Sequence, residues 1–167
     1  MNEKAEKVVV CPGSYDPVTN GHLDIISRAS RTFDRVVVGV VNQPIRKKKT
    51  LFTVEERIAF IEDATVHLGN IEVQAFYTLL VEFARKNGAQ AIVKGLRAIS
   101  DFEYENEMAQ LNSKLDPEIE SIYVFARPEY SFLSSTGVKE MATFNGDVSD
   151  LVPAPVASAL ADRLGRS

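Results

Sequence analysis

The chain has 167 residues, 45% of them hydrophobic and 25% charged, with a formal net charge of −4 and an isoelectric point near 5.3. That length and apolar share suit one domain with its own core, and the charged fraction is that of an ordinary globular protein rather than a disordered one. The acidic balance argues against a nucleic-acid or membrane-surface binder, so any anion site must come from a local gathering of basic groups. Cys11 is the single cysteine, which excludes an internal disulfide and a multi-cysteine zinc site and suits a reducing compartment. Met1 to Lys7 is polar and charged, with no apolar signal segment behind it, and no run approaches the roughly 18 apolar residues of a membrane span. A soluble, cytoplasmic protein is expected.

Short β-branched runs alternate with stretches of helical spacing. Strands are predicted at Lys7–Val10, Val36–Val41, Ile71–Ala75, Ala91–Val93 and Ser121–Phe125. A helix opens near His22, with Leu23, Ile26, Ala29, Ser30 and Phe33 on one face. Thr53 with Glu56 forms a capping box for a second helix, which Gly69 should close in a left-handed turn. A third helix runs from about Leu79 to Lys86 and stops at Asn87-Gly88. Ser100 with Glu103 predicts another capping box and a helix through Asn112. Ser134 or Ser135 can cap a helix toward Phe144, and Pro153 or Pro155 starts a last one to Leu164.

Strand and helix repeated about five times predict an α/β fold: a Rossmann-like, doubly wound, five-stranded parallel sheet in a single domain. No repeat or linker divides residues 1–167, and residues 1–6 read as a flexible N-terminus. In such sheets ligands bind beyond the carboxyl ends of the strands, near the topological switch point. The loops that follow strands therefore carry the functional reading.

After the first strand comes Cys11-Pro12-Gly13-Ser14-Tyr15-Asp16-Pro17, then Thr19-Asn20-Gly21-His22 at a helix start. Gly13 permits close backbone approach, Ser14 offers a hydroxyl, and the helix N-terminus at Gly21-His22 favours an anion. His22 can donate to a phosphate oxygen, and as an imidazolium would stabilise developing negative charge. The plainer reading is a βα turn capped by Asn20. Thr-x-Gly-His directly after a strand resembles the signature of the nucleotidyltransferase superfamily, which favours a phosphate cradle. Cys11 reads as strand-end packing rather than a nucleophile.

After the second strand, Arg46-Lys47-Lys48-Lys49 is either a solvated basic loop or a set of cations closing over a polyphosphate. After the fourth, Lys94-Gly95-Leu96-Arg97 forms a compact anion site or a surface turn. Asp101 and Glu105 stand one helical turn apart, more suited to a solvated face than to acid/base work, and Glu105 could bind ribose hydroxyls. After the fifth, Tyr130-Ser131-Phe132-Leu133-Ser134-Ser135-Thr136 places hydroxyls at a second helix N-terminus. His67 ends a helix and is given no catalytic role.

Taken together, Pro12–His22, Lys94–Glu105 and Tyr130–Thr136 resemble bacterial phosphopantetheine adenylyltransferases in order, from about Val8 to Leu164. That resemblance implies an enzyme transferring AMP from ATP to 4′-phosphopantetheine, giving dephospho-coenzyme A and pyrophosphate. It also implies Mg²⁺ carried on the ATP phosphates with no dedicated protein metal site, a homohexamer, and coenzyme A as a candidate feedback inhibitor.

Carried onto this chain, the catalytic residues are His22, Lys48 and Lys94. ATP would meet Ser14, Tyr15, His22, Gly95, Leu96, Arg97, Glu105 and Tyr130, Ser131, Phe132, Leu133, Ser134, Ser135 and Thr136. The acceptor would meet Ser14, Lys48, Leu80 and Lys94. Arg46, Lys47 and Lys49 are alternatives to Lys48, and Gly137 stands where the family usually has a bulkier residue, which would loosen the helix start. The rivals are a nucleotidyltransferase for another phosphorylated acceptor, such as nicotinamide mononucleotide or glycerol phosphate, and a non-catalytic ATP-binding sensor.

Overall fold

The computed structural model describes residues 5–42 and 49–165. Five parallel strands, β1 (Val8–Gly13), β2 (Arg35–Val41), β3 (Ile71–Phe76), β4 (Ala91–Leu96) and β5 (Glu120–Phe125), lie in the order β3-β2-β1-β4-β5. They alternate with helices α1 (Asn20–Thr32), α2 (Val54–Thr65), α3 (Leu80–Lys86) and α4 (Ile99–Leu115). A 3₁₀ turn (Pro128–Tyr130), α5 (Ser135–Thr143) and α6 (Ala154–Leu164) follow β5. The doubly wound parallel sheet matches the expectation.

The valine runs explain why the sheet is covered on both sides. Val9, Cys11, Val36 and Val38 point into the larger core with Ile26, Ile61, Val138 and Val156. The intervening Val8, Val10 and Val37 point into a smaller core with Val81, Phe83 and Ala84. Side chains alternate across a strand, so only an unbroken apolar run can feed two cores. The chain leaves β3 at the sheet edge and returns to β4 beside β1, where Val9 pairs Ala91. The switch point therefore lies between the ends of β1 and β4, and it opens the crevice that holds the site.

Several boundaries differ from the sequence expectation. β1 continues past Val10 to Gly13, and β4 past Val93 to Leu96, so Lys94, Gly95 and Leu96 are strand residues opposite Tyr123, Val124 and Phe125. Register with a neighbouring strand outweighs the loop-like local composition. Gly69 is not left-handed. Gly88 is the glycine with positive φ (+70°) among the described residues, and α2 ends at Thr65 with Val66 as its cap.

The Thr53–Glu56 capping box is present, whereas the Ser100–Glu103 box is not. Ala98 precedes α4 with no side-chain cap, and Asp101 instead accepts the Arg97 N–H (3.1 Å), which shifts the helix start to Ile99. α4 runs on to Leu115 rather than Asn112. Ser134, not Ser135, caps α5 by accepting the Gly137 N–H (3.0 Å), so Gly137 sits inside a formed helix start. Pro153 caps α6.

Candidate active site

β1 delivers its loop to the switch point under tight steric control. A Cβ at Gly13 would stand 3.0 Å from the Tyr15 ring, a contact tight enough that the ring would have to shift. Tyr15 adopts φ +47°, an uncommon left-handed conformation for a bulky residue, and the peptide bond Asp16–Pro17 is cis. The Tyr15 ring is buried, its hydroxyl donates to the Cys11 carbonyl (2.9 Å), and it meets His22 edge-on at 5.1 Å. Burial, with a smaller contribution from Cys11, pushes the phenol well above its usual range. Tyr15 thus braces the loop with its side chain and can meet a ligand only through its backbone.

Thr19, rather than Asn20, caps α1, and the cap orients the histidine. The Thr19 hydroxyl accepts the His22 N–H (3.4 Å), while the Thr19 N–H donates to His22 Nδ1 (3.0 Å). Because a backbone N–H can only donate, Nδ1 is an acceptor and the ring proton sits on Nε2. An imidazolium would set Nδ1–H against that N–H. This geometry leaves Nε2–H as the donor the ring can offer a ligand.

Sequence reasoning passed over the residues that hold this loop. Asp16 is fully buried, accepts the Leu51 and Phe52 N–H groups (3.0 and 2.9 Å) and pairs with Lys139 Nζ (3.0 Å). Burial would raise its carboxyl, but those two N–H groups and Lys139 outweigh it and hold the group below the ordinary aspartate range. Arg57 is also buried and donates to the Ser14 carbonyl (2.6 Å). A charge bordering an apolar run, such as Arg57 in α2, was the available signal.

At the end of β4, Lys94 Nζ lies 2.7 Å from Glu105, whose backbone carbonyl accepts the Tyr123 hydroxyl (2.8 Å). Arg97 donates to the Leu133 carbonyl (2.7 Å) and pairs with Asp101 (3.1 Å). Asp101 and Glu105 therefore answer different cations and do not form an acid/base pair. Burial raises the Asp101 carboxyl, but the Arg97 contacts outweigh it and leave the group below its usual range. Gly95 admits α1: a Cβ there would meet Ile25 Cγ1 at 3.0 Å. Leu96 is buried and offers only backbone.

The segment after β5 closes on the same crevice. Ser135 Oγ donates to the Pro17 carbonyl (2.8 Å), and a Cβ on Gly21 would lie 3.5 Å from Tyr130 Cβ. The N-termini of α1 and α5 are thus stitched side by side, joined by Arg97 to the end of β4. Within Tyr130–Thr136, Ser131 binds the Pro128 carbonyl (3.0 Å), Leu133 is buried, and Phe132 and Thr136 are exposed. Leu80 opens α3 after β3, half-buried against the smaller core. Arg46, Lys47 and Lys48 lie outside the described residues, and Lys49 is exposed. The Cys11 thiol is buried and pushed up to about 12, which removes it as a nucleophile. His67 is an exposed turn residue beyond α2.

The cytidylyltransferase-like family profile matches residues 10–141. Among solved structures, a candidate nicotinate-nucleotide adenylyltransferase of Vibrio parahaemolyticus superposes with a TM-score of 0.67, covering 94% of this chain and 92% of its own at 18% identity. That likeness shows the fold. The profile match over most of the chain places it among the cytidylyltransferase-like nucleotidyltransferases.

Curated relatives narrow the class. The phosphopantetheine adenylyltransferase of Heliobacterium modesticaldum is 50% identical over 158 residues, 95% of this chain and 93% of its own length. That of Alkaliphilus metalliredigens is 51% identical over 157 residues, 94% of this chain and 99% of its own. The chain belongs to the phosphopantetheine adenylyltransferase family.

Proposed function

We propose that the protein transfers AMP from ATP to 4′-phosphopantetheine, forming dephospho-coenzyme A and releasing pyrophosphate. A phosphate oxygen of the acceptor attacks the α-phosphorus in line as the bond to the β-phosphate oxygen breaks, with no covalent enzyme intermediate. The attacking phosphate is already ionised, so no general base is required, and positioning with charge stabilisation supplies the rate. His22, its Nδ1 held by the Thr19 N–H, is the observation that carries this reading: its Nε2–H donates to an α-phosphate oxygen as charge builds there.

Ser14, the backbone at Tyr15 and the residues from Gly95 to Arg97 bind the triphosphate side, Glu105 the nucleotide, and Tyr130 to Thr136 the adenylate. Lys94 and Lys48 meet the acceptor phosphate, and Leu80 borders the pantetheine arm. Asp16, the carboxylate within the first loop, has its oxygens committed to Leu51, Phe52 and Lys139. The donor set around the triphosphate therefore suits Mg²⁺ carried by phosphate oxygens, where it neutralises charge.

The reading extends to a cytoplasmic enzyme, with no nucleic-acid or membrane partner, subject to feedback by coenzyme A and assembled as a homohexamer. Exposed Ile99, Phe102, Phe125, Phe132 and Phe144 support self-association. Among the described residues no helix is long and apolar enough to cross a membrane. Pyrophosphate release with ATP and a panel of acceptors tests the assignment. Turnover is expected with 4′-phosphopantetheine and dephospho-coenzyme A as the product; preference for nicotinamide mononucleotide or glycerol phosphate would overturn it.

A further inference from the structure

Resting on that reading of the site, we propose that Arg57 is a positioning residue that aims the Tyr15 backbone N–H at the ATP phosphates. Arg57 stands in the first turn of α2, outside every motif that marks the loops, and is 1% exposed. Among the described residues its guanidinium faces no carboxylate at hydrogen-bond distance. It spends its donors on four backbone carbonyls: Ser14 (2.6 Å) and Val41 (2.9 Å) through Nη1, Asn42 (3.2 Å) through Nη2, and Thr53 (3.3 Å) through Nε. Those carbonyls belong to the loop after β1, the end of β2 and the start of α2. One planar fork therefore fixes the carboxyl ends of two adjacent strands relative to each other.

The contact to Ser14 has a directional consequence. The Ser14–Tyr15 peptide is trans, so its C=O and N–H lie in the peptide plane and point in opposite directions. Drawing the Ser14 carbonyl inward onto the buried guanidinium turns the Tyr15 N–H away from it. Tyr15 is the left-handed residue of the loop (φ +47°), and successive N–H groups around such a residue form a concave anion site. Its phenol is occupied by the Cys11 carbonyl, which leaves the backbone as the only group Tyr15 can present.

In the same loop Asp16 takes the Leu51 and Phe52 N–H groups, so two buried charges of opposite sign tie the turn to the segment that opens α2. A lysine at position 57 would keep the charge, but its single ammonium cannot span four carbonyls in a plane.

The test compares Arg57→Lys with Arg163→Lys in the full-length chain. Arg163 donates to the Leu51 carbonyl (2.6 Å), pairs with Glu56 and lies 4.7 Å over the Phe52 ring, yet holds no carbonyl of the first loop. Assays run well below each variant's unfolding midpoint, with ¹⁵N label on the five tyrosines to report the Tyr15 amide. Arg57→Lys is expected to lower kcat about 10- to 100-fold, as small misplacements of a positioning group do. Arg163→Lys is expected to stay within twofold of the parent.

ATP is expected to move the Tyr15 amide proton downfield in the parent but not in Arg57→Lys. A kcat for folded Arg57→Lys within twofold of the parent overturns the proposal. If Arg57→Lys does not fold, the parent decides: a Tyr15 amide shifted by ATP supports the assignment, and an unmoved one overturns it. The amide readout needs only nucleotide binding, so it separates failure of this inference from failure of the enzymatic reading.

Discussion

Around Ser14–His22 the fixing groups are tied to backbone: Arg57 to carbonyls, Asp16 to N–H groups, and the His22 ring to the Thr19 N–H. The Lys94 and Glu105 side chains are tied instead to each other, by a 2.7 Å ion pair between groups about one-fifth exposed. Backbone partners cannot swing away, so the first region is built before any ligand arrives. The second must exchange partners before Lys94 can meet a phosphate. Preorganised groups lower a barrier without reorganising, whereas an ion pair that must open tunes affinity. On the proposed function, the difference puts catalytic rate in the first loop and substrate affinity in the second.

The largest effect is expected from His22→Ala. Removing one donor to a developing charge costs about 10²–10³ in kcat. ATP affinity, measured by calorimetry, should change little, and near-normal kcat would remove His22 from the mechanism.

Asp16→Asn breaks the grip on the same loop from beneath, with an expected loss of about 2–3 kcal/mol of stability for hydrogen bonds made to a buried charge. The pH dependence follows from the lowered carboxyl. Its contribution is complete above the unfolded aspartate value of about 3.9 and is lost as pH falls through the still lower folded value. Denaturant melts should therefore show the parent losing its advantage over Asp16→Asn below about pH 4, and keeping it at neutral pH. A constant gap across that range would show that the charge is not responsible.

Glu105→Gln should give the smallest change. It releases Lys94 from an ion pair worth up to about 1 kcal/mol, so the acceptor KM is expected to fall about two- to fivefold. The ATP KM should rise as the nucleotide contact weakens, with kcat nearly unchanged. A large drop in kcat would erase the contrast between the two regions.

Much of this was legible in the residues. Five valine- and isoleucine-rich runs separated by helical spacing specified the doubly wound sheet, and Thr53–Glu56 marked the start of α2. The Thr19–His22 element marked the candidate phosphate loop, but not the ring's orientation, because that arises from a cap visible only in three dimensions. Local composition misread Lys94-Gly95 as loop, since the β5 register that extends β4 is a long-range property. The Ser100–Glu103 pattern failed for the complementary reason: Asp101 reaches back to the Arg97 N–H and starts the helix earlier. Arg57 and Asp16 were hidden because a buried charge is recognised by its partners, and most of these are backbone groups 15 to 43 residues away.

The central claim is that the site works by holding and neutralising, with no covalent step on the enzyme. Cys11, the chain's one thiol, is buried and pushed up to about 12, and His22 Nδ1 is engaged as the acceptor of the Thr19 N–H. The stereochemical course at the α-phosphorus tests this most directly, using ATP with a chiral α-phosphorothioate and 4′-phosphopantetheine. A single in-line displacement predicts inversion of configuration in the product. Retention would require two displacements through a nucleotidyl-enzyme and would contradict the account.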